Sequence, residues 1–188
     1  MLIRRYEDRD AATVRALFVR INRALATDAL RRSFESYIAQ SLEEEIDRIP
    51  AYYAARGGSF WIADDAGTLL GMFGLERIDS ETAELRRMYV APEAQRRGIA
   101  RQMLAHAERT CREAGLRRLV LSTSELQQAA LTLYRAAGFR LVREEVVEAR
   151  TNKTVGAGLR RFYFEKTLGA RHSSDASGAP DSEAASLE

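Results

Sequence analysis

The stretch from Thr82 to Ala114 constrains the fold of this chain more than any other. It opens as a β-like run, TAELRRMYV (Thr82–Val90), and Pro92 stops it. A loop centred on Gly98 follows, with Arg96, Arg97 and Arg101 crowded around it. From Ile99 onward Ala100, Leu104, Ala107 and Cys111 recur at helical spacing, and Gly115 supplies the C-terminal stop. A strand that enters a glycine loop and then a helix N-terminus builds an anion site. The N–H groups of the turn and the unsatisfied N–H groups of the first helical turn converge on one concavity. At Gly98 no Cβ obstructs the close approach of a phosphate.

The remaining punctuation extends this unit into a domain. Leu2 to Tyr6 reads as a strand, and Asp8 or Asp10 caps a helix whose apolar face is Val14, Leu17, Phe18 and Ile21. A second helix starts near Thr27 or Asp28. It carries Leu30, Phe34, Ile38, Leu42, Ile46 and Ile49 at three- and four-residue steps until Pro50 ends or re-aims it. Strands at Ser59–Ala63 and Leu69–Ile78 flank an Asp64–Gly67 turn, and Arg118–Ser122 reads as a buried strand. A helix over Leu126–Ala137 stops at Gly138, and strands at Phe139–Val147 and Leu159–Leu168 complete the order. The pattern β-α-α-β-β-β-α-β-α-β-β describes an α/β chain: a mixed sheet with helices packed on its faces. Residues 1–168 form one domain, and 169–188 read as a disordered tail whose last Leu-Glu resembles a cloning remnant.

Charge decides which partners to expect. The 188 residues hold 29 Lys+Arg against 27 Asp+Glu, a net +2, which gives no general attraction to nucleic acid or acidic membranes. The arginines near Gly98 therefore need a local explanation. A single cysteine rules out an internal disulfide and suits a reducing cytoplasm, and with two histidines it argues against a structural metal. No apolar run approaches the roughly 20 residues needed to span a bilayer, and the first ten residues lack a signal-peptide core. A soluble cytoplasmic protein is expected.

Two familiar phosphate loops are excluded, because the chain has neither G-x-x-x-x-G-K followed by Ser or Thr nor G-x-G-x-x-G with an acidic ribose partner. Instead, Gln95-Arg96-Arg97-Gly98-Ile99-Ala100 resembles motif A of the GNAT superfamily of acetyl-CoA-dependent N-acetyltransferases: Gln or Arg, two residues, Gly, one residue, then Gly or Ala. Glu84-Leu85-Arg86-Arg87-Met88-Tyr89-Val90 is similar to the strand that precedes it there. Ala130-Leu131-Thr132-Leu133-Tyr134 with Gly138-Phe139 is similar to motif B. The resemblance covers Thr82 to Val142; Met1 to Ser80 match only in their pattern of elements.

The resemblance implies a GNAT-like fold, with a central mixed sheet of six or seven strands and helices on both faces. It also implies acetyl-CoA as co-substrate, no metal, and a small-molecule or peptide amine as acceptor. Nucleic acid and membrane are not expected partners, and a homodimer is an allowed assembly. In the family the fourth and fifth strands part and pantetheine lies in the gap. Here that assigns the backbone of Met88, Tyr89 and Val90 to pantetheine. The loop Gln95, Arg96, Arg97, Gly98, Ile99, Ala100 and Arg101 would hold the pyrophosphate on its amides. Gln127 stands where an asparagine is frequent. Transfer requires an amine freed of its ammonium proton, a donor for the oxyanion and an acid for the departing thiolate. Tyr134 matches the family's acid, Glu84 the base of some members, and the Val90 amide is the oxyanion candidate. The alternatives are a non-catalytic acyl-CoA-binding regulatory domain and a nucleic-acid module built on the arginines.

Other residues carry structural expectations. Cys111 reads as a core thiol, His106 as lying on the exposed side of its helix, and Glu43–Glu45 as a solvated face. Strand alternation places Glu84, Arg86 and Met88 on one face. Tyr37, Tyr52, Tyr53, Phe60 and Trp61 are candidates to border the acceptor pocket.

Overall fold

Seven strands form one sheet in the order β1-β2-β3-β4-β5-β7-β6. The structure, a computed structural model, describes residues 1–169, so the expected tail from Ala170 on, with His172, lies outside the described residues. The strands are β1 (Leu2–Arg5), β2 (Ser59–Asp65), β3 (Thr68–Arg77), β4 (Thr82–Val90), β5 (Arg118–Ser124), β6 (Arg140–Val147) and β7 (Leu159–Thr167). The helices are α1 (Ala11–Leu25), α2 (Arg31–Glu44), α3 (Ile49–Ala54), α4 (Ile99–Glu113) and α5 (Gln128–Ala136). Every strand pair is antiparallel except β4–β5, which α4 joins as a crossover.

The two faces of the sheet are covered by different helices. A Cβ on Gly71 would stand 2.7 Å from Met103 Sδ of α4, and one on Gly74 would stand 2.1 Å from Tyr53 Oη of α3. Residues three apart on a strand face opposite ways, so α4 covers one face and α3 the other. Both helices come this close because β3 offers no side chain there. On the α4 side Met103, Leu104, Ala107 and Cys111 are buried. On the other, Phe18 of α1 and Ile38 of α2 join Tyr53 in the same core.

Three local expectations are corrected. The second helix does not run to Pro50. It ends at Glu44, Glu45 takes φ −137°, ψ −59°, and Pro50 sits in the first turn of α3, where a missing N–H costs nothing. Strand alternation also fails in β4. Arg86 pairs with Gly74 and Tyr89 with Met72, so two residues, Arg87 and Met88, oppose Phe73 alone. Arg87 adopts φ +51° at this bulge. Tyr89 thereby shares the face of Arg86. Lastly, Asp10 stands at the α1 N-cap, but its carboxylate accepts from Arg4 (2.8 Å) and the Glu7 N–H (2.8 Å) rather than from the helix.

Candidate active site

β4 and β5 are parallel partners only from Thr82–Leu85 against Arg118–Leu121. Beyond that point β5 follows β7, pairing on to Ser124 with Arg161, while β4 stays with β3 as far as Val90. The strands fork, and the β5-side edge of β4 past Leu85 has no strand partner among the described residues. A cleft of about 620 Å³ opens at the fork, with Met88, Tyr89 and Val90 on one wall and Gln127, Ala130 and Tyr134 on the other.

The glycine loop closes one end of this cleft. Gly98 is the N-cap of α4 at φ +76°, and a Cβ built there would meet nothing within 4 Å. Its left-handed backbone is the first reason for glycine, and the open space beside it is the second. Arg96 is left-handed too, at φ +60°. The first bond of the α4 ladder runs from the Gln102 N–H to the Gly98 carbonyl at 3.1 Å. The N–H groups of Ile99, Ala100 and Arg101 thus stand outside the ladder, as helix N-termini leave them. Gln95, Arg96, Arg97 and Arg101 are exposed, whereas the Ile99 side chain is buried and offers only its backbone. The loop residues named from sequence, except Arg97, line the cleft together.

Tyr134 is 6 % exposed, and its hydroxyl lies 3.9 Å from Met88 Sδ. Burial pushes its phenol well above the ordinary tyrosine range, with nearby Tyr89 adding to the shift, so Tyr134 keeps its proton at neutral pH. A smaller polar chamber adjoins the cleft, and Tyr134, Met88, Glu84, Lys153, Arg161 and Tyr37 line it. The two predicted catalytic side chains are therefore brought to one chamber. Glu84 Oε2 accepts from Lys153 Nζ at 2.5 Å, and the same ammonium lies 3.9 Å from Glu76. Gln127 Oε1 accepts from Thr123 Oγ1 at 2.9 Å, which fixes the carboxamide on the cleft wall.

The chamber is underlain by a charged cluster that the helical pattern concealed. Glu45 is fully buried, not part of a solvated face; only Glu43 and Glu44 are exposed. Its carboxylate accepts from Tyr53 Oη (2.7 Å), Arg86 Nη2 (2.6 Å) and Arg87 Nη2 (2.7 Å). Burial alone would raise its pKa; Arg87 and Arg86 outweigh that and hold it below the usual carboxylate value. Arg87 goes on to Tyr37 Oη (2.5 Å) and the Asn152 carbonyl (2.5 Å). The available signal was Arg86-Arg87 set between Leu85 and the apolar run Met88-Tyr89-Val90 of one strand, since buried arginines require a buried acid. Arg161 differs. Its guanidinium donates to Ser122 Oγ (3.0 and 2.8 Å), no described carboxylate lies within ion-pair distance, and burial lowers its pKa.

Of the five aromatic candidates, only Tyr37 lines the chamber. Tyr52 and Tyr53 serve the charged cluster, and Phe60 packs edge-on to Tyr53. Trp61 lies across the sheet with its ring 4.5 Å from His106. His106 is accordingly not on an exposed side: Nδ1 meets Arg109 at 2.9 Å, and Nε2 is buried with no hydrogen-bond partner. Cys111 is a core thiol, its pKa pushed up to about 12 by burial. Among the described residues no group of three or more His, Cys, Asp or Glu could hold a metal ion, and no helix is long and apolar enough to cross a membrane.

Residues 24–139 match the Acetyltransferase (GNAT) family. Probable N-acetyltransferase family 8 member 5 of Mus musculus is 31% identical over 112 residues, 57% of this chain and 49% of that protein. The chain spans about half the length of the curated relatives it matches. An acetyltransferase of the GNAT family from Staphylococcus aureus Mu50 superposes with a TM-score of 0.69 at 19% identity, covering 89% of this chain and 99% of that one. PaiA N-acetyltransferase from Thermoplasma acidophilum, solved in complex with coenzyme A, gives 0.68 at 22% identity, covering 88% and 98%. At these identities the superpositions establish the fold.

Proposed function

The chain belongs to the acetyltransferase (GNAT) family, and from that premise we propose that it transfers acetyl from acetyl-CoA to a primary amine by direct attack in a ternary complex. One observation carries this reading: the fork between β4 and β5 joins the Gly98 loop, an unpartnered strand edge and the buried Tyr134 hydroxyl in a single cleft. The fit to acetyl-CoA is chemical. Free N–H groups at a helix N-terminus suit a pyrophosphate, and an open strand edge suits the amides of a pantetheine arm.

In this reading the backbone of Met88, Tyr89 and Val90 pairs with the arm, and the amides from Arg96 to Arg101 hold the pyrophosphate. Gln95 and the arginine side chains adjust charge at the rim, while the Gln127 carboxamide borders the opposite wall. Glu84 takes a proton from the acceptor amine, directly or through water, and exposes its lone pair. The Val90 N–H donates to the carbonyl oxygen as negative charge gathers there. Tyr134, protonated at neutral pH, delivers its proton to the departing sulfur. The acceptor is a small-molecule or peptide amine entering from the chamber lined by Tyr37 and Arg161. A cytoplasmic setting is part of this reading, because a lone cysteine, Cys111, suits reducing surroundings.

Release of CoA thiol from acetyl-CoA across a panel of amines tests the reading. Tyr134→Phe should lower the rate by about 10²–10⁴-fold, the usual contribution of a general acid, with acetyl-CoA affinity unchanged. Tight acetyl-CoA binding without release for any amine would favour a non-catalytic acyl-CoA-binding domain instead.

A further inference from the structure

Lys153 stands where an acceptor amine belongs. Its ammonium donates to Glu84 Oε2 at 2.5 Å inside the chamber that Tyr134 and Met88 also line. It and Lys166 are the only lysines among the 29 basic residues of the chain. Lys166 is committed elsewhere, to Glu108 of α4 at 2.6 Å, and lines neither the chamber nor the cleft.

The segment that carries Lys153 is not a free arm. Between β6 and β7 the chain crosses back over the chamber and is fastened at several points. The Asn152 carbonyl accepts from buried Arg87 (2.5 Å), Arg150 Nε donates to Gln40 of α2 (3.1 Å), and Thr151 and Thr154 bond to each other. An amine tethered this way meets a bound thioester at a high effective concentration, with no binding step of its own.

We propose that Lys153 is an acetyl acceptor in cis: with acetyl-CoA bound and no other amine present, the protein acetylates its own Lys153 Nζ. The idea rests on the acetyltransferase reading above. The Nζ ammonium gives a proton to the Glu84 carboxylate, which passes it to water. The freed lone pair forms an N–C bond with the acetyl carbonyl carbon, and the nitrogen then sheds its second proton to solvent. The C–S bond breaks, its electron pair leaves on sulfur, and the thiolate takes the Tyr134 phenolic proton, which solvent replaces. The products are Nε-acetyl-lysine, CoA thiol and one proton, and no oxidant or reductant is involved. The amide is neutral, so the reaction also dissolves the ion pair that occupies Glu84 and opens that carboxylate to an incoming amine.

The full chain incubated with acetyl-CoA and no added amine, followed by intact mass and peptide mapping, tests this. One acetyl group is expected on Lys153 and none on Lys166, at a rate that does not change when the protein is diluted. Lys153→Arg should remove the label, and Tyr134→Phe should slow it at least about tenfold, as loss of a general acid does. Equal labelling of both lysines, or labelling that Tyr134→Phe leaves unchanged, would mean adventitious chemical acetylation and would overturn the proposal. So would a rate proportional to protein concentration, which marks reaction between molecules. Release of CoA with external amines but an unlabelled Lys153 defeats this proposal and leaves the acetyltransferase reading intact. Failure to bind acetyl-CoA at all, measured by calorimetry, defeats both.

Discussion

Glu45 holds two arginine guanidiniums and a tyrosine hydroxyl out of contact with solvent. Removing its charge leaves Arg86 with Glu76 and Arg87 with no carboxylate, so Glu45→Gln should cost about 3–5 kcal/mol in urea unfolding at pH 7. The pH dependence has a fixed sign. The folded-state pKa of Glu45 lies below its ordinary value of 4.5, so its contribution is complete above that pH and is lost as pH falls through the lower, folded value. The gap between wild type and Glu45→Gln should therefore narrow below pH 4.5; a constant gap would contradict the assigned ion pairs. His106 has the same sign for another reason. Burial favours its neutral form, so the stability it supplies is complete above its ordinary 6.5 and falls as pH drops through the lowered value. Its Nε2 is buried without a partner, and His106→Leu should accordingly stabilise the fold by about 1 kcal/mol and flatten the melting temperature between pH 7 and 5.

The elements follow the sequence where one local rule decides them and depart from it where two compete. The β4–loop–α4 unit was legible because Pro92, Gly98 and the spacing Ala100, Leu104, Ala107, Cys111 all point to the same strand, turn and helix. The apolar spacing from Leu30 to Ile49 read as a single helix, yet the backbone breaks at Glu45, whose carboxylate is bound to arginines 41 and 42 residues further on. No periodicity reports a partner that distant. The bulge at Arg87 escaped for the same reason, since it lets consecutive arginines reach one acid. Glycine separates these effects by experiment. Gly74→Ala should lose about 1–3 kcal/mol by overpacking, because its Cβ collides with the Tyr53 ring and drives that hydroxyl from Glu45. A Cβ at Gly98 meets nothing within 4 Å, so Gly98→Glu should cost only the roughly 1–2 kcal/mol of a left-handed residue and yet abolish acetyl-CoA binding. Unfolding of Gly98→Glu, or its retention of affinity, would contradict the role given to the loop.

At the scale of the whole molecule, the cleft exists because β5 is held by two different neighbours. Leu119 and Leu121 stay in the core beside α4, while the antiparallel ladder with β7 continues to Ser124 and draws the strand away from β4. The fork was implied only by family resemblance, because strand separation is a property of three strands together and of no single segment. It also leaves the unliganded protein with a strand edge lacking its ladder at the centre of the sheet, where local opening is cheapest. A ligand that fills the gap should therefore stabilise more than its own site. At a concentration one hundred times its dissociation constant, acetyl-CoA should add about 2.7 kcal/mol, and the melting temperature should rise by roughly 5–10 °C. Hydrogen exchange locates the effect. Protection should increase at Met88–Val90 and at Arg96–Arg101, and also along β5, because closing the gap ties both arms of the fork. The distant β1–β2 pair should change little. Slowing confined to Arg96–Arg101, with the arms of the fork unaltered, would mean that the ligand rests on the loop alone and that the open edge of β4 takes no part in holding it.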